Sequence, residues 1–191
     1  NDTEYYLWHN FNGDTSPQFG AEYGCPALSG ANKPDFSDDI NIISGHNLFN
    51  GEMFSAFSTF NETDVFNEHR IIYLLTPDAN YRLKTFAVDY VNGNGSVPIR
   101  FKTQAEMHQF IQQCIDDTLV DANPAPPAAD TINRAFAFYT CDNSNDTYRF
   151  FIYAYVDEYL PLSARAEGIM GDAPAQSDAD AVNDASQERT R

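Results

Sequence analysis

Arg134-Ala-Phe-Ala-Phe-Tyr-Thr-Cys141 and Tyr148-Arg-Phe-Phe-Ile-Tyr-Ala-Tyr-Val156 decide the fold. Both runs are apolar and rich in aromatic residues. Between them lies Asp142-Asn-Ser-Asn-Asp-Thr147, a polar stretch of turn formers, so the segment reads as a β-hairpin. A fold-back centred near Asn145 sets Cys141 opposite Arg149 across the ladder. A thiol and a fixed positive charge then share one face of a sheet, where a nucleophile and an oxyanion stabiliser can act on the same carbonyl. This pairing predicts an enzyme.

Working outward, Glu4-Tyr-Tyr-Leu-Trp-His-Asn10 reads as a strand, followed by a Gly-, Pro-, Asp- and Asn-rich loop to Asp39 and a short strand, Ile40-Asn-Ile-Ile-Ser-Gly-His46. Gly51 to Phe60 puts Met53, Phe54, Phe57 and Phe60 on one helical face, and Thr63 to His69 reads as a second short helix. Ile71 to Leu75, the turn Thr76-Pro-Asp-Ala-Asn80 and Tyr81 to Val91 form a second hairpin. Thr103 and Glu106 make a capping box that opens a helix with Met107, Phe110, Ile111, Cys114 and Ile115 on one stripe, which assigns Cys114 to the core. Asp121 to Asp130 is a loop.

The 191 residues, 42% hydrophobic and 14% aromatic, suffice for one domain, placed at residues 1–159. Residues 160–191 are acidic and poor in large apolar side chains, which predicts a tail without fixed structure. A net charge of −17 disfavours nucleic acid and anionic membrane as partners, because the protein's own field repels phosphates. Three cysteines without CxxC spacing indicate neither a disulfide framework nor zinc, and no run of about eighteen apolar residues spans a membrane. The chain opens at Asn1 rather than Met, which suggests that an N-terminal signal or anchor preceded it.

Four local features, in order along the chain, resemble the sortases and most closely class B. Glu4 to Asn10 looks like the family's opening strand, and Ile43-Ser-Gly-His-Asn47 like the strand end bearing its histidine. Gly51-Glu-Met-Phe54 through Ile71 is similar to the helix pair that follows. Tyr139-Thr-Cys-Asp142 with Arg149 downstream looks like the cysteine motif and its arginine.

The resemblance implies a mainly β fold with some α structure, a sortase-like closed β-barrel with a few peripheral helices. It also implies a cysteine transpeptidase with His46, Cys141 and Arg149 as catalytic residues, Tyr139 and Thr140 as substrate contacts, and no metal or cofactor. The implied partners are surface or pilin proteins bearing a sorting signal, and an amine from cell-wall peptide or a pilin lysine. The implied place is the outer face of a Gram-positive cell membrane or wall. Tyr139 stands where class B members commonly carry serine, which predicts a narrower groove. The family's class B members carry N-terminal helices before the first strand, whereas here the strand reading starts almost at Asn1, so those helices are expected to be absent from this chain or to have been cut away.

Each residue also has an ordinary reading. A strand cysteine is commonly a small buried hydrophobe, a histidine after glycine a turn residue, and a strand arginine a solvated one. Only the three together point to catalysis. Cys25 reads as an incidental thiol, and His9, His69 and His108 lack metal-ligand spacing. Asp142, Ser144 and Asp146 begin like a calcium loop, but Thr147 and Tyr153 occupy the positions that need Gly and Glu. Leu160-Pro-Leu-Ser-Ala164 loosely resembles a sorting signal and reads more simply as a domain end. A hydrolytic cysteine peptidase and a non-enzymatic surface β-barrel binding module are the rival classes.

Overall fold

The computed structural model describes His9, Gly13, residues 24–93 and residues 96–162. The opening strand expected at Glu4 to Asn10, apart from His9, and the tail from residue 163 onward lie outside these residues.

Six strands form one sheet in the order β1-β2-β5-β6-β4-β3: β1 (Ala27–Leu28), β2 (Ile40–Ser44), β3 (Ile71–Leu75), β4 (Ala79–Asn92), β5 (Ala135–Asp142) and β6 (Asn145–Pro161). Among the described residues, only the β2–β5 pairing is parallel. The fold is mainly β with a few helices, and among the described residues the sheet curls as half of a barrel.

Alternation along β5 builds the two layers. Phe136 and Phe138 point into one cluster with Ile43, Val88, Phe150 and Ile152, while Ala135 and Ala137 point into the other with Ile40, Phe86 and Tyr153. The alanines leave room for a helix. Helix α2 (Gln104–Asp116) fills it with Met107, Ile111 and Cys114, all buried, so the core assignment of Cys114 holds. Thr103 Oγ1 accepts the Glu106 N–H at 3.2 Å, while the Glu106 carboxylate accepts from Lys102 N–H at 3.0 Å rather than from Thr103, so the capping box closes one residue early.

The helix expected over Gly51 to Phe60 is instead a 3₁₀ segment, Ser55–Thr59. Phe54, Phe57 and Phe60 recur every three residues, which is the period of a 3₁₀ turn. They stack edge to face with centroids 4.8 and 5.2 Å apart, and Phe60 continues onto Phe66 of helix α1 (Thr63–Glu68) at 6.2 Å. Met53 falls outside the segment, with φ 59°. Burial of a phenylalanine such as Phe66, which is fully enclosed, stabilises by roughly 1.5–3 kcal/mol. The β3–β4 hairpin forms where it was expected, but β4 already starts at Ala79, so the turn is shorter than residues 76–80 and Leu75 lies opposite Asn80. Strand β6 continues to Pro161, so Leu160 and Pro161 are paired with Asn80 and Ala79 as strand residues.

Candidate active site

The β5–β6 register places Cys141 directly opposite Arg149, and Arg149 in turn pairs with Val91 of β4. Directly paired residues project to the same side, so thiol and guanidinium share the face on which Tyr139 stacks against Phe151, centroids 5.1 Å apart. Helix α2 covers the same face. After Cys141 the register shifts, Asp142 pairs with Asn145, and Asn143 and Ser144 make the turn. Arg149 lies over the start of the β4 exit loop: its Nη1 donates to the Tyr148 carbonyl at 2.8 Å, and a Cβ on Gly93 would sit 3.6 Å from its Cζ and 3.1 Å from the Thr147 carbonyl.

His46 comes from the neighbouring strand end. Strand β2 runs parallel to β5 up to Ser44 opposite Tyr139, and side-chain and backbone bonds carry the junction further. Gly45 N–H donates to the Tyr139 carbonyl at 3.2 Å, and Thr140 Oγ1 donates to the Gly45 carbonyl at 2.9 Å. Asn47 Nδ2 donates to the Cys141 carbonyl at 3.0 Å, and Asn143 Nδ2 donates to the Asn47 carbonyl at 3.0 Å. His46 is thus bracketed by two residues bonded to the cysteine strand. A Cβ on Gly45 would lie 2.6 Å from Phe54 Cγ, so position 45 faces the phenylalanine layer and a side chain there would have to displace the Phe54 ring. His46 follows directly, two residues beyond the end of β2 at Ser44 and beside the Cys141 end of β5.

The loop after His46 is fixed as well. His46 N–H points at Met53 Sδ (3.1 Å), Phe54 N–H donates to the His46 carbonyl at 3.0 Å, and Asn47 forms an isolated bridge with Met53. Gly51 at φ 82° makes the reversal that this bridge requires.

Thr140 corrects an expectation. It is fully buried, projects to the other side of β5 from Cys141, and commits its hydroxyl to Gly45, so it is a stitch between strand ends rather than a substrate contact. On that reverse side, Tyr90 donates to Asp142 Oδ2 at 2.5 Å, and Ser144 donates to Oδ1 through its N–H at 2.8 Å and its hydroxyl at 2.7 Å. The Tyr90 bond, aided by Ser144, holds the Asp142 carboxyl below its ordinary range, and the same bond pushes the Tyr90 hydroxyl up to about 12. Neither Asn47 nor Tyr90 carries a spacing signal in the sequence; their partners lie 94 and 52 residues away. A cavity of about 700 Å³ opens beside this pair, walled by Leu48, Phe49, Tyr90, Asp142 and Phe150, on the face away from the thiol.

The cysteines differ in environment. Burial pushes the Cys114 thiol up to about 12 and raises that of Cys25. Cys141 is half-buried at the sheet end, opposite Arg149.

The curled sheet, with a parallel β2–β5 pair leading into the β5–β6 hairpin, is the fold of the sortases. No family model matches the chain. The structure matches the X-ray structure of Clostridium perfringens sortase B with a TM-score of 0.71 at 19% identity, over 82% of this chain and 83% of that one. It matches a Staphylococcus aureus sortase B–substrate complex with a TM-score of 0.69 at 16% identity, over 81% of this chain and 69% of that one. In sequence, the chain is 24% identical over 146 residues, 76% of its length, to Sortase B of Listeria monocytogenes serovar 1/2a (strain ATCC BAA-679 / EGD-e). It spans 56% of that relative's length. The class B resemblance read from the residues is therefore borne out in both sequence and fold.

Proposed function

We propose that this chain is the catalytic portion of a cysteine transpeptidase that cleaves a sorting signal in surface proteins and passes the acyl group to an amine. The observation that carries the proposal is the direct Cys141–Arg149 pairing, with the His46 segment bonded to the same strand end. In this reading the Cys141 thiolate attacks the carbonyl after threonine in the signal, and the tetrahedral oxyanion forms beside Arg149. The amide C–N bond breaks as His46 gives its proton to the leaving amine, which leaves a thioester on Cys141. His46 then takes a proton from the incoming amine, which attacks the thioester; the new amide forms and the thiolate returns. Histidine suits both steps because its ordinary titration range lies near neutrality.

Tyr139, stacked on Phe151 beside the thiol, is the substrate contact in this reading and makes the groove narrower than a serine would. The donor is a surface or pilin protein, the acceptor an amine of cell-wall peptide or a pilin lysine, and the place of action the outer surface of a Gram-positive cell. The Staphylococcus aureus relative was solved as a substrate complex, which supports a groove of this kind.

Mass spectrometry after incubation with a library of sorting-signal peptides tests the proposal. The expected result is a thioester adduct on Cys141, absent from Cys141→Ala and discharged by added amine. An adduct discharged only by water, with amine leaving the product distribution untouched, identifies a hydrolytic peptidase instead. Function that survives alkylation of Cys141 identifies a binding module.

A further inference from the structure

The Cys141 carbonyl points towards the side of β5 where a parallel strand would continue to pair, but β2 ends at Ser44. In place of a strand, the Asn47 side-chain amide supplies the donor, at 3.0 Å. The backbone carbonyl of the same residue accepts from Asn143 Nδ2 at 3.0 Å, so Asn47 grips the hairpin on both sides of Asp142. Its chain neighbour is His46, whose N–H and carbonyl are held by Met53 and Phe54. The Asn47 clasp joins the residue next to His46 directly to the Cys141 carbonyl.

We infer that Asn47 is a positioning residue that sets the spacing of His46 and Cys141 by clasping the Cys141 carbonyl and the Asn143 side chain. The inference rests on the transpeptidase reading of those two residues. The chemistry of the clasp is specific to asparagine. Aspartate would set a carboxylate against a carbonyl, leucine has no donor, and glutamine is one methylene too long for the 3.0 Å contact. Loss of the clasp leaves the other two ties, Gly45 N–H to Tyr139 and Thr140 Oγ1 to Gly45, in place. The variants therefore keep the sheet while losing the spacing.

The test uses the whole chain and the variants Asn47→Ala, Asn47→Asp, Asn143→Ala and His46→Ala. Iodoacetamide alkylation of Cys141 is followed against pH by peptide mapping, beside the rate of thioester formation and KM for a sorting-signal peptide. Asn47→Ala is expected to shift the alkylation profile towards that of His46→Ala. It is also expected to slow thioester formation by about tenfold with KM unchanged, a loss on the scale of one hydrogen bond. A purely structural role would lower the melting temperature without moving the profile. Asn143→Ala removes only the outer half of the clasp from an exposed position, so it is expected to fold and to shift the profile in the same direction by less. If His46→Ala moves the profile while Asn47→Ala and Asn143→Ala reproduce the wild type, this inference falls and the transpeptidase reading stands. If His46→Ala leaves the profile where it was, both fall.

Discussion

Cys141 and Arg149 are direct cross-strand partners at the end of the β5–β6 hairpin, so the ladder rather than a flexible loop fixes the backbones of the two residues relative to each other. A donor held on a rigid element stabilises developing charge without reorganising at the moment of reaction. Arg149→Ala is accordingly expected to lower the rate of acyl transfer by about a hundredfold or more, or about 2.7–4 kcal/mol of transition-state stabilisation. Arg149→Lys is expected to recover only part of this, because an ammonium lacks the planar fork of donors. Single-turnover kinetics of thioester formation measure both. Wild-type rates in Arg149→Ala would remove the guanidinium from the chemistry.

Gly45 is held by space. A Cβ there meets the Phe54 ring at 2.6–3.0 Å, and the ring is packed in turn against Phe57 and Phe138. Gly45→Ala is expected to cost about 1–3 kcal/mol of stability by overpacking. Phe54→Ala opens the space, so the double variant is expected to be less destabilised than the two single changes added together. Urea denaturation of the four proteins closes the cycle. Strict additivity would mean that the contact is relieved elsewhere.

These two sites differ in how far the sequence announces them. The Cys141–Arg149 pair was legible because two apolar, aromatic-rich runs flank a turn-forming stretch; the turn itself is made by Asn143 and Ser144 rather than by a fold-back centred near Asn145, and the register shift after Cys141 restores the pairing. Helix α2 was legible from its capping box and its stripe. The segment after Gly51 was misread because phenylalanines spaced by three satisfy a helix template over a short window as readily as a 3₁₀ turn. The contribution of Asn47 lay beyond reach, since a donor that replaces a missing strand is defined only once β2 and β5 lie side by side. Thr140 was misassigned for a related reason. Its neighbour in sequence is the nucleophile, but alternation sends the two side chains to opposite faces.

The three thiols are expected to separate by reactivity. With its thiol pushed up to about 12 by burial, Cys114 is thiolate in roughly one molecule in ten thousand near pH 8, and α2 also shields it from reagent. Cys141 is half-buried at the sheet end, beside Arg149. Limited iodoacetamide treatment of the folded protein, followed by peptide mapping, is expected to label Cys141 and leave Cys114 unmodified until denaturant is added. Labelling of Cys114 at the rate of Cys141 would contradict both its burial and the proposed role of Cys141.

The Tyr90–Asp142 bond predicts opposite pH effects at the two ends of the scale. Asp142 has its carboxyl held down by the Tyr90 and Ser144 donors, so its contribution is complete above the unfolded value of about 3.9 and is lost as pH falls through the lower folded value. Tyr90 is raised from an unfolded value of about 10 to about 12, so its contribution is complete below about pH 10 and is lost as pH rises towards about 12. Tyr90→Phe is expected to abolish the alkaline loss and to shrink the acid loss, which the two Ser144 bonds still partly sustain. Asp142→Asn is expected to flatten both. Denaturation midpoints measured across the acid and alkaline limbs decide the matter: an alkaline limb unchanged in Tyr90→Phe would mean that the hydroxyl does not hold the carboxylate in solution, and the Asp142 carboxylate would then be held by the two Ser144 bonds.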